Sequence, residues 1–518
     1  MGRLSRGITV SAAFVLAGAG SCAAADSTAP GAQQNLADST TVVIDNSATF
    51  QVIDGFGANS LSLVYGSADY LGPYRQAAIE AAFSRVGLSR TWLNLGVTEA
   101  PSNASDPFGQ RANDNADPAV MNAAGYNFAG ADAMHERVVV PARAFGYPGV
   151  DVGPLLNLRG PLDWLVAIRG ADYARYLDEV AENVLAVAQR WRDTYGLTPT
   201  LLDLFNEPTS GNRELQTSST QEVVDVVAHV GRRLRAAGFG DVRFVVPNEE
   251  SPARSLEVAR AILADTAARP FVGVIGYHPY PQGSAYASPR RILEASGAGN
   301  PDAGARQEME QLKALGAQYG VPVWMTEVSE GPGIEDYPFD AIEPILARAI
   351  HIHDNFEYAG ASAFFGMNTI WDSHSHEDHF AGRNVPFSSS QSDVVLADMN
   401  AGRIFVSPMG YAIGQYARWV KPGVRRIAAT SDNARAIVTA FRDPAARRLI
   451  VVVVNTSLAA QTLHVALRGG SVAGAVTGEY SAGTSRWEPI ADFPAEPDGS
   501  LRYTALARSV TTLAIPLR

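Results

Sequence analysis

The stretch V-P-V-W-M-T-E-V-S-E, residues 321–330, carries the pattern that decides the fold class. Pro322 opens an apolar run at 323–325, where a proline at the first strand position costs no ladder hydrogen bond. Glu327 follows the run, and a Gly-Pro-Gly segment then breaks the chain into a loop. The pattern predicts a buried parallel strand with a carboxylate at its carboxyl end, where α/β barrels place their active-site residues. A solvated loop glutamate is the alternative on this pattern alone.

A second stretch repeats this design. Residues 201–208, L-L-D-L-F-N-E-P, place Asn206 and Glu207 after an apolar run that ends in a proline. Two acids at the ends of two separate strands form a candidate pair. Glycoside hydrolysis needs such a pair of carboxyl groups flanking the scissile bond.

Strand and helix patterns alternate regularly between residues 55 and 420. Regular alternation predicts a parallel sheet, and eight units predict a closed (β/α)8 TIM barrel. An open doubly wound sheet is the alternative, but the segment D-G-F-G at 54–57 lacks the third glycine of a phosphate-binding loop. After a first strand that begins at Gly55, the predicted strands are 89–95, 150–158, 201–205, 242–247, 271–277, 321–330 and 361–367.

The sequence changes character on both sides of the barrel. Residues 421–518 contain short β-rich runs separated by Gly, Asn and Asp turns, which predict an antiparallel β-sandwich. Residues 39–54 predict two further strands, 41–45 and 49–53, that have no place in the barrel. We expect them to pair into the sandwich, so that an α/β barrel carries an attached side domain.

The first 22 residues resemble an export signal. Two arginines precede an apolar segment, 8–19, that is too short to span a bilayer comfortably. The following A-G-S-C resembles a bacterial lipoprotein processing site in which Cys22 becomes lipidated, and cleavage after Ala24 or Ala25 is the alternative. We expect an exported protein, lipid-anchored at the bacterial cell envelope or else periplasmic or secreted. Residues 23–38 are small and polar and predict a flexible tether.

The composition restricts the partners. The net charge is −12, the only lysines are Lys313 and Lys421, and no basic run occurs, so nucleic acid is not an expected partner. With 46% apolar residues, the 518-residue chain can bury a large core, and Cys22 is its only cysteine, which excludes an internal disulfide. We expect a monomer that needs no cofactor and meets the membrane only through Cys22.

A set of motifs occurs in a recognisable order along the chain. They are 51–58 (Q-V-I-D-G-F-G-A), Arg90, 206–208 (N-E-P), 278–280 (H-P-Y), 324–327 (W-M-T-E), 407–411 (S-P-M-G-Y) and 420–423 (V-K-P-G). Together they resemble glycoside hydrolase family 30, whose barrel glycosidases include glucosylceramidases and xylanases. Where members often carry a Trp-Ser-Pro-Pro-type segment that helps to line the sugar site, this chain has N-L-R-G-P-L-D-W at 157–164, so the substrate does not carry over.

The resemblance implies a retaining mechanism and a sandwich packed against the barrel. Glu327, after strand seven, would be the nucleophile, and Glu207, after strand four, would be the acid/base. The two carboxyl groups must then lie roughly 5 to 5.5 Å apart, with Glu327 ionised and Glu207 protonated. Arg90 is the expected partner that keeps Glu327 charged, because a nearby opposite charge favours the carboxylate.

Other polar and aromatic side chains are candidates for substrate binding. We expect Asn206 to hydrogen-bond a sugar 2-hydroxyl, Tyr280 to donate to Glu327, and His278 to orient the site. Each has a structural alternative, as a turn or core residue. The candidates for stacking on sugar rings are Trp92, Trp164, Trp324 and Trp371, with Trp371 favoured because it follows strand eight.

Two other classes of function are open. The loop W-D-S-H-S-H-E-D-H-F at 371–380 holds His374, His376 and His379, enough ligands with Asp372 and Asp378 for a metal-dependent hydrolase. A non-catalytic sugar-binding protein is the third class. We expect an exported retaining β-glycoside hydrolase acting on an oligo- or polysaccharide, and the long segment 368–405 favours a pocket and exo-action.

Overall fold

The computed structural model describes residues 38–60, 63, 72–93, 98–99, 113–148, 151–153, 163–209, 219–280, 303–329, 337, 340–372, 393–398 and 403–518. All of them belong to one compact unit, Ala37–Arg518. The predicted signal and nearly all of the predicted tether lie outside the described residues. No helix in the described part of the chain is both long and apolar enough to cross a lipid bilayer.

Twenty-one strands of the described residues form four sheets of nine, seven, three and two strands. The strands are β1 Asp38–Val52, β2 Gly55–Asn59, β3 Thr98–Glu99, β4 Tyr126–Asn127, β5 Asp151–Val152, β6 Leu201–Asp203, β7 Arg243–Glu249, β8 Val272–Tyr277, β9 Val323–Met325, β10 Ala361–Asn368, β11 Ile370–Asp372, β12 Val395–Asp398, β13 Arg403–Val406, β14 Arg425–Ser431, β15 Ala436–Asp443, β16 Arg448–Asn455, β17 Gln461–Arg468, β18 Thr477–Ala482, β19 Ser485–Pro489, β20 Leu501–Ala505 and β21 Ser509–Pro516.

Helices alternate with the strands of the seven-stranded sheet. Several begin at capping side chains that accept a main-chain N–H, as Ser219, Ser251 and Ser407 do. The α-helices are Arg75–Ile79, Ala129–Met134, Val140–Arg143, Asp163–Ala171, Tyr173–Tyr195, Thr220–Ala236, Pro252–Ala264, Ala303–Tyr319, Glu343–Glu357 and Pro408–Ala417, with π-helical turns at Glu80–Val86 and His135–Val139 and 3-10 turns at Ala123–Gly125 and Arg269–Phe271.

The seven-stranded sheet is parallel throughout, in the order β2-β10-β9-β8-β7-β6-β5. Seven of the eight predicted barrel strands therefore form. The remaining one, predicted at 89–95, is reduced among the described residues to a parallel bridge between Trp92 and Asn59. The N–H of Gly153, next to β5, donates to the carbonyl oxygen of Leu93 at 3.2 Å.

The nine-stranded sheet has the order β19-β18-β21-β16-β15-β14-β1-β17-β20. It is antiparallel except that β1 runs parallel to β17, so the prediction of a purely antiparallel side domain is wrong at this pair. The two predicted N-terminal strands are one 15-residue strand with register shifts at Thr49. β1 is paired with β14 on both sides of Thr49, so β1 continues through these register shifts as a single strand.

The nine-stranded sheet is buried on both faces along its middle strands. In β16, Leu449 and Val451 lie in the sheet's own core, whereas Ile450 and Val452 lie in the large core shared with the barrel helices. Successive strand residues point to opposite faces, so a strand between two cores must be apolar at every position. The run L-I-V-V-V-V in β16 meets that requirement, and it packs the nine-stranded sheet against the core of the parallel sheet and its helices.

Candidate active site

Three ionisable side chains meet at the carboxyl ends of three parallel strands. Glu207 follows β6, His278 directly follows β8, and Glu327 follows β9. The ends of parallel strands lie on the same edge of a sheet, and this edge is where barrel proteins assemble their active sites. Strands β7 and β8 separate β6 from β9 in the sheet, so the side chains must converge across the ends of these four strands.

The convergence is close. His278 Nδ1 lies 3.0 Å from Glu207 Oε1 and 3.8 Å from Glu327 Oε1. One ligand atom from each of the three residues lies within 4.8 Å of those of the other two. The side chains of Glu207 and His278 are 9% and 2% exposed, and that of Glu327 is 21% exposed. The site therefore combines buried charge with an opening at Glu327.

Glu207 has an unusual main-chain conformation. Its φ of 46° lies in the left-handed region, which costs a non-glycine residue about 1–2 kcal/mol. The N–H of Glu207 donates to the carbonyl oxygen of Asn248 at 2.8 Å, and this bond helps to hold the strained turn. Strain of this kind persists only where the surrounding structure enforces it, and it concentrates at functional sites.

His278 is held as a cation by its neighbours. Burial by itself would lower the pKa of His278, but the negative charges of Glu327 and Glu207 and the hydrogen bond to Glu207 raise it to about 9. The ring then carries protons on both nitrogens, so Nδ1–H donates to Glu207 Oε1. The main-chain N–H of His278 donates to the carbonyl oxygen of Glu249 at 2.9 Å. This bond fixes the main chain from which the imidazole ring extends.

The groups around Glu327 have opposing effects on its pKa. The net effect is a raised pKa for Glu327: burial and the charge of Glu207 raise it, and the His278 cation and a hydrogen bond from Tyr280 lower it by less. The Tyr280 hydroxyl donates to Glu327 Oε1 at 3.4 Å and accepts the N–H of Ser329 at 2.7 Å. The positive charge that favours the carboxylate of Glu327 therefore comes from His278.

The structure does not place Arg90 beside Glu327. Its Nε donates to the carbonyl oxygen of Asp54 at 2.7 Å, and its guanidinium lies 4.5 Å from the centre of the Trp324 ring. Asp54 immediately precedes β2, so Arg90 lies where the strands begin and the carboxylates lie where they end. The sequence prediction is wrong because it located a strand but not the position of Arg90 along it.

The prediction that Trp324 stacks on a sugar is also wrong, since this residue lies in a buried cluster of side chains from the parallel sheet. It is 1% exposed, packs against Trp92 and Phe365, and donates from Nε1 to Asp54 Oδ2 at 2.8 Å. A ring buried there cannot stack on a sugar. Trp92, 3% exposed, has the same core role.

The remaining candidates are only partly described. Trp164 is half-buried at the start of the helix Asp163–Ala171 and packs against the main core. Asn206 is half-buried beside Glu207, and its role stays a prediction. The backbone of Trp371 lies in β11, but its side chain is outside the described residues, as are His374, His376 and His379.

Sequence reasoning missed the polar residues that end β7. Asn248 bonds to both Thr326 and Asp203, and Glu249 accepts from the N–H and hydroxyl of Thr209 at 3.1 and 2.7 Å. Burial raises the pKa of Glu249 to about 7. The signal was present in the sequence, because P-N-E-E at 247–250 follows an apolar run just as Asn206 and Glu207 do.

Glu207, His278 and Glu327 form the one group of three potential metal ligands, among the described residues, whose spacing suits a metal ion. A metal-bound imidazole must first lose the proton on its ligating nitrogen. Here the nitrogen that faces both carboxylates, Nδ1, is the one that donates to Glu207. The donor set therefore fits an imidazolium ion that faces two carboxyl groups better than it fits a metal.

Fold and site together define an α/β protein with a parallel sheet, a carboxylate pair at the carboxyl ends of its strands, and a separate large, mainly antiparallel sheet. This is the fold of glycoside hydrolase family 30 enzymes. A GH30 endoxylanase from Clostridium papyrosolvens is 18% identical, with a TM-score of 0.61 and coverage of 92% of this chain and 100% of that one.

Two other solved structures show the same likeness. The catalytic domain of GH30 xylanase C from Talaromyces cellulolyticus is 19% identical, with a TM-score of 0.61 and coverage of 92% and 99%. An endo-β-1,6-glucanase is 16% identical, with a TM-score of 0.58 and coverage of 92% and 94%. No protein-family model matches the chain.

Proposed function

We propose that the protein is a retaining β-glycoside hydrolase in which Glu327 is the nucleophile and Glu207 the acid/base. The observation that carries the proposal is the approach of the two carboxyl groups, with oxygen atoms within 4.8 Å of each other. Retaining enzymes need a separation of about 5–5.5 Å, whereas inverting enzymes need about 6.5–9.5 Å to admit a water molecule.

Each residue has one role in the sequence of steps. Glu327 attacks the anomeric carbon, and Glu207 gives its proton to the departing oxygen. Glu207, now a carboxylate, takes a proton from the water that releases the sugar from Glu327. Tyr280 donates to Glu327 and holds its attacking oxygen in place.

His278 keeps the electrostatics of the site constant through these steps. When Glu327 becomes an ester it loses its charge, and at the same moment Glu207 gains one. Because His278 Nδ1 lies beside both carboxylates, the negative charge moves between two oxygens that face the same cation. Fixed charge aimed at positions where charge develops is usually the largest contribution to enzyme catalysis.

The proposed architecture includes a closed eight-stranded barrel at 55–420 and a side domain at 421–518 joined by β1. The segment around Trp92 and Leu93 supports closure, since it bonds to β2 on one side and next to β5 on the other. Export and lipidation of Cys22 belong to the same proposal. Comparing the membrane fraction of the full chain with that of Cys22→Ala tests the anchor.

The substrate class proposed is a β-linked polysaccharide or a glycoside derived from one, because the similar structures are named as xylanases and a β-1,6-glucanase. The test is turnover of a panel of nitrophenyl β-glycosides and soluble β-glycans, with the first-formed anomer followed by proton NMR. We expect the product to keep its β configuration. Inversion, or no turnover of any member of a broad panel, would overturn the proposal.

A further inference from the structure

Asn248 connects the two acids through separate bonds. Its carbonyl oxygen accepts the N–H of Glu207 at 2.8 Å, and its side-chain Oδ1 accepts the hydroxyl of Thr326 at 2.7 Å. Thr326 is the residue immediately before Glu327. One residue, 2% exposed, thus holds the main chain of Glu207 and the neighbour of Glu327.

A third bond fixes the side chain itself. Asn248 Nδ2 donates to Oδ2 of Asp203, the last residue of β6. Asp203 is 2% exposed, and burial raises its pKa well above the ordinary range, so this hydrogen bond lies in a buried setting away from solvent. With both ends of its amide bonded, Asn248 has a single orientation available.

The space around Asn248 is equally restricted. Its φ of 56° is left-handed, a conformation that asparagine tolerates better than most residues. Gly276 in β8 faces it, and a Cβ at that glycine would lie 1.9 Å from Asn248 Oδ1. Backbone conformation and a facing glycine therefore agree on one position for this side chain.

We propose that Asn248 is a positioning residue that sets the separation of Glu207 and Glu327. The kinetic consequences of this inference rest on the proposed glycosidase function, but the geometric claim does not. A displacement of about 1 Å in a catalytic group is enough to lower the rate on the order of 10²-fold.

Three variants test this role of Asn248. Thr326→Val removes the hydroxyl that Asn248 Oδ1 accepts at nearly equal volume, and Thr326→Ser keeps the hydroxyl as the matched control. Asn248→Gly deletes the side chain, yet it allows the left-handed φ and leaves the carbonyl that binds Glu207. We expect crystal structures of Thr326→Val and Asn248→Gly to show the two carboxyl groups displaced relative to each other, and Thr326→Ser to keep the parent separation.

Kinetics per active site separate positioning from folding. A 2-fluoro glycoside that traps the glycosyl-enzyme counts the active molecules, and kcat is divided by that count. We expect Thr326→Val and Asn248→Gly to lose about 10–100-fold in kcat with KM nearly unchanged, and Thr326→Ser to stay within about threefold. A merely structural role would lower the count of active molecules and leave kcat per site intact.

The possible failures are distinguishable. Unchanged carboxyl positions in Thr326→Val and Asn248→Gly, or a loss in Thr326→Ser equal to that in Thr326→Val, would overturn the role of Asn248. A parent enzyme that neither reacts with the 2-fluoro glycoside nor turns over any glycoside would overturn the proposed function instead. The crystallographic comparison still decides the positioning claim in that case.

Discussion

His278 Nδ1 lies 3.0 Å from Glu207 Oε1 in a site where both side chains are nearly buried. A buried ion pair contributes little net stability when complete, but removal of one partner leaves an uncompensated charge at a cost of about 3–5 kcal/mol. Here the same cation also lies 3.8 Å from Glu327. The pairing therefore ties the ionisation of both carboxyl groups to one imidazole.

The first prediction concerns His278→Asn, which removes the charge and keeps a polar atom near Nδ1. Since the His278 cation lowers the pKa of Glu327, its loss should raise that pKa and move the acid limb of kcat/KM to higher pH. The pH–rate profile of kcat/KM measures the shift. Tyr280→Phe removes the 3.4 Å hydrogen bond to Glu327 and the acceptor of the Ser329 N–H but leaves the His278 cation, so it should shift the limb less. An unmoved limb in His278→Asn would contradict the assignment.

The second prediction separates the two acids. Glu207→Ala should lose roughly 10²–10⁴-fold on substrates with poor leaving groups, because the departing oxygen is no longer protonated. An activated aryl glycoside needs less protonation, so its glycosylation step should suffer less. Glu327→Ala should be almost inactive on both substrates. Steady-state rates on the two substrate types decide the point, and equal mild losses from both changes would remove the assignment.

The third prediction concerns Arg90→Met. Its guanidinium stacks on Trp324 and bonds to Asp54 at the beginning of the strands, so we expect a loss of about 1–2 kcal/mol in stability. We expect kcat/KM to stay within about threefold. Urea unfolding and initial rates on the same samples make the comparison. A large loss of activity at unchanged stability would restore the pairing with Glu327 that the sequence suggested.

The fourth prediction concerns Glu182, a fully buried residue whose two carboxyl oxygens have no hydrogen-bond partner among the described residues. Burial, reinforced by the charges of Asp114 and Glu179, raises the pKa of Glu182 to about 8. A carboxyl group whose pKa is raised in the folded state stabilises the fold most below about pH 4.5, and this stability is lost as the pH rises through 8.

Glu182→Gln, which is neutral at every pH, should abolish that loss. We expect the stability of Glu182→Gln relative to the parent to rise between pH 5 and pH 9, because only the parent must ionise a buried carboxyl group over that range. Unfolding midpoints at the two pH values provide the measurement. The exposed Glu488→Gln is the control and should show no such divergence.

The fifth prediction concerns metals. A glycosidase that uses Glu207 and Glu327 should keep its rate after exhaustive chelation, because neither step involves a metal. Loss of activity with EDTA and recovery with a divalent ion would favour the alternative hydrolase based on His374, His376 and His379. The combined His374→Ala, His376→Ala and His379→Ala variant is the matched test, and we expect its turnover to be insensitive to EDTA.

The agreement between sequence and structure is strongest for strand positions in the barrel. Met325 ends β9 inside the predicted stretch 321–330, and Asp203 ends β6 inside 201–205. Apolar runs bounded by proline and glycine report burial and strand ends directly. The parallel pairing of β1 with β17 escaped prediction because the partner of a strand is chosen by chain topology, which local pattern does not encode.

The amino-acid sequence by itself determined that two glutamates follow buried strands, because hydrophobic runs and their breakers are local properties. It did not determine which end of a strand Arg90 occupies, nor that Trp324 points into the barrel, since both depend on how neighbouring strands are aligned. The approach of Glu207, His278 and Glu327, and the bonds by which Asn248 links the two acids, were decided by tertiary structure alone. Only the packing of distant strands brings such side chains within hydrogen-bonding range, where burial and the charges of the neighbouring groups shift their pKa values.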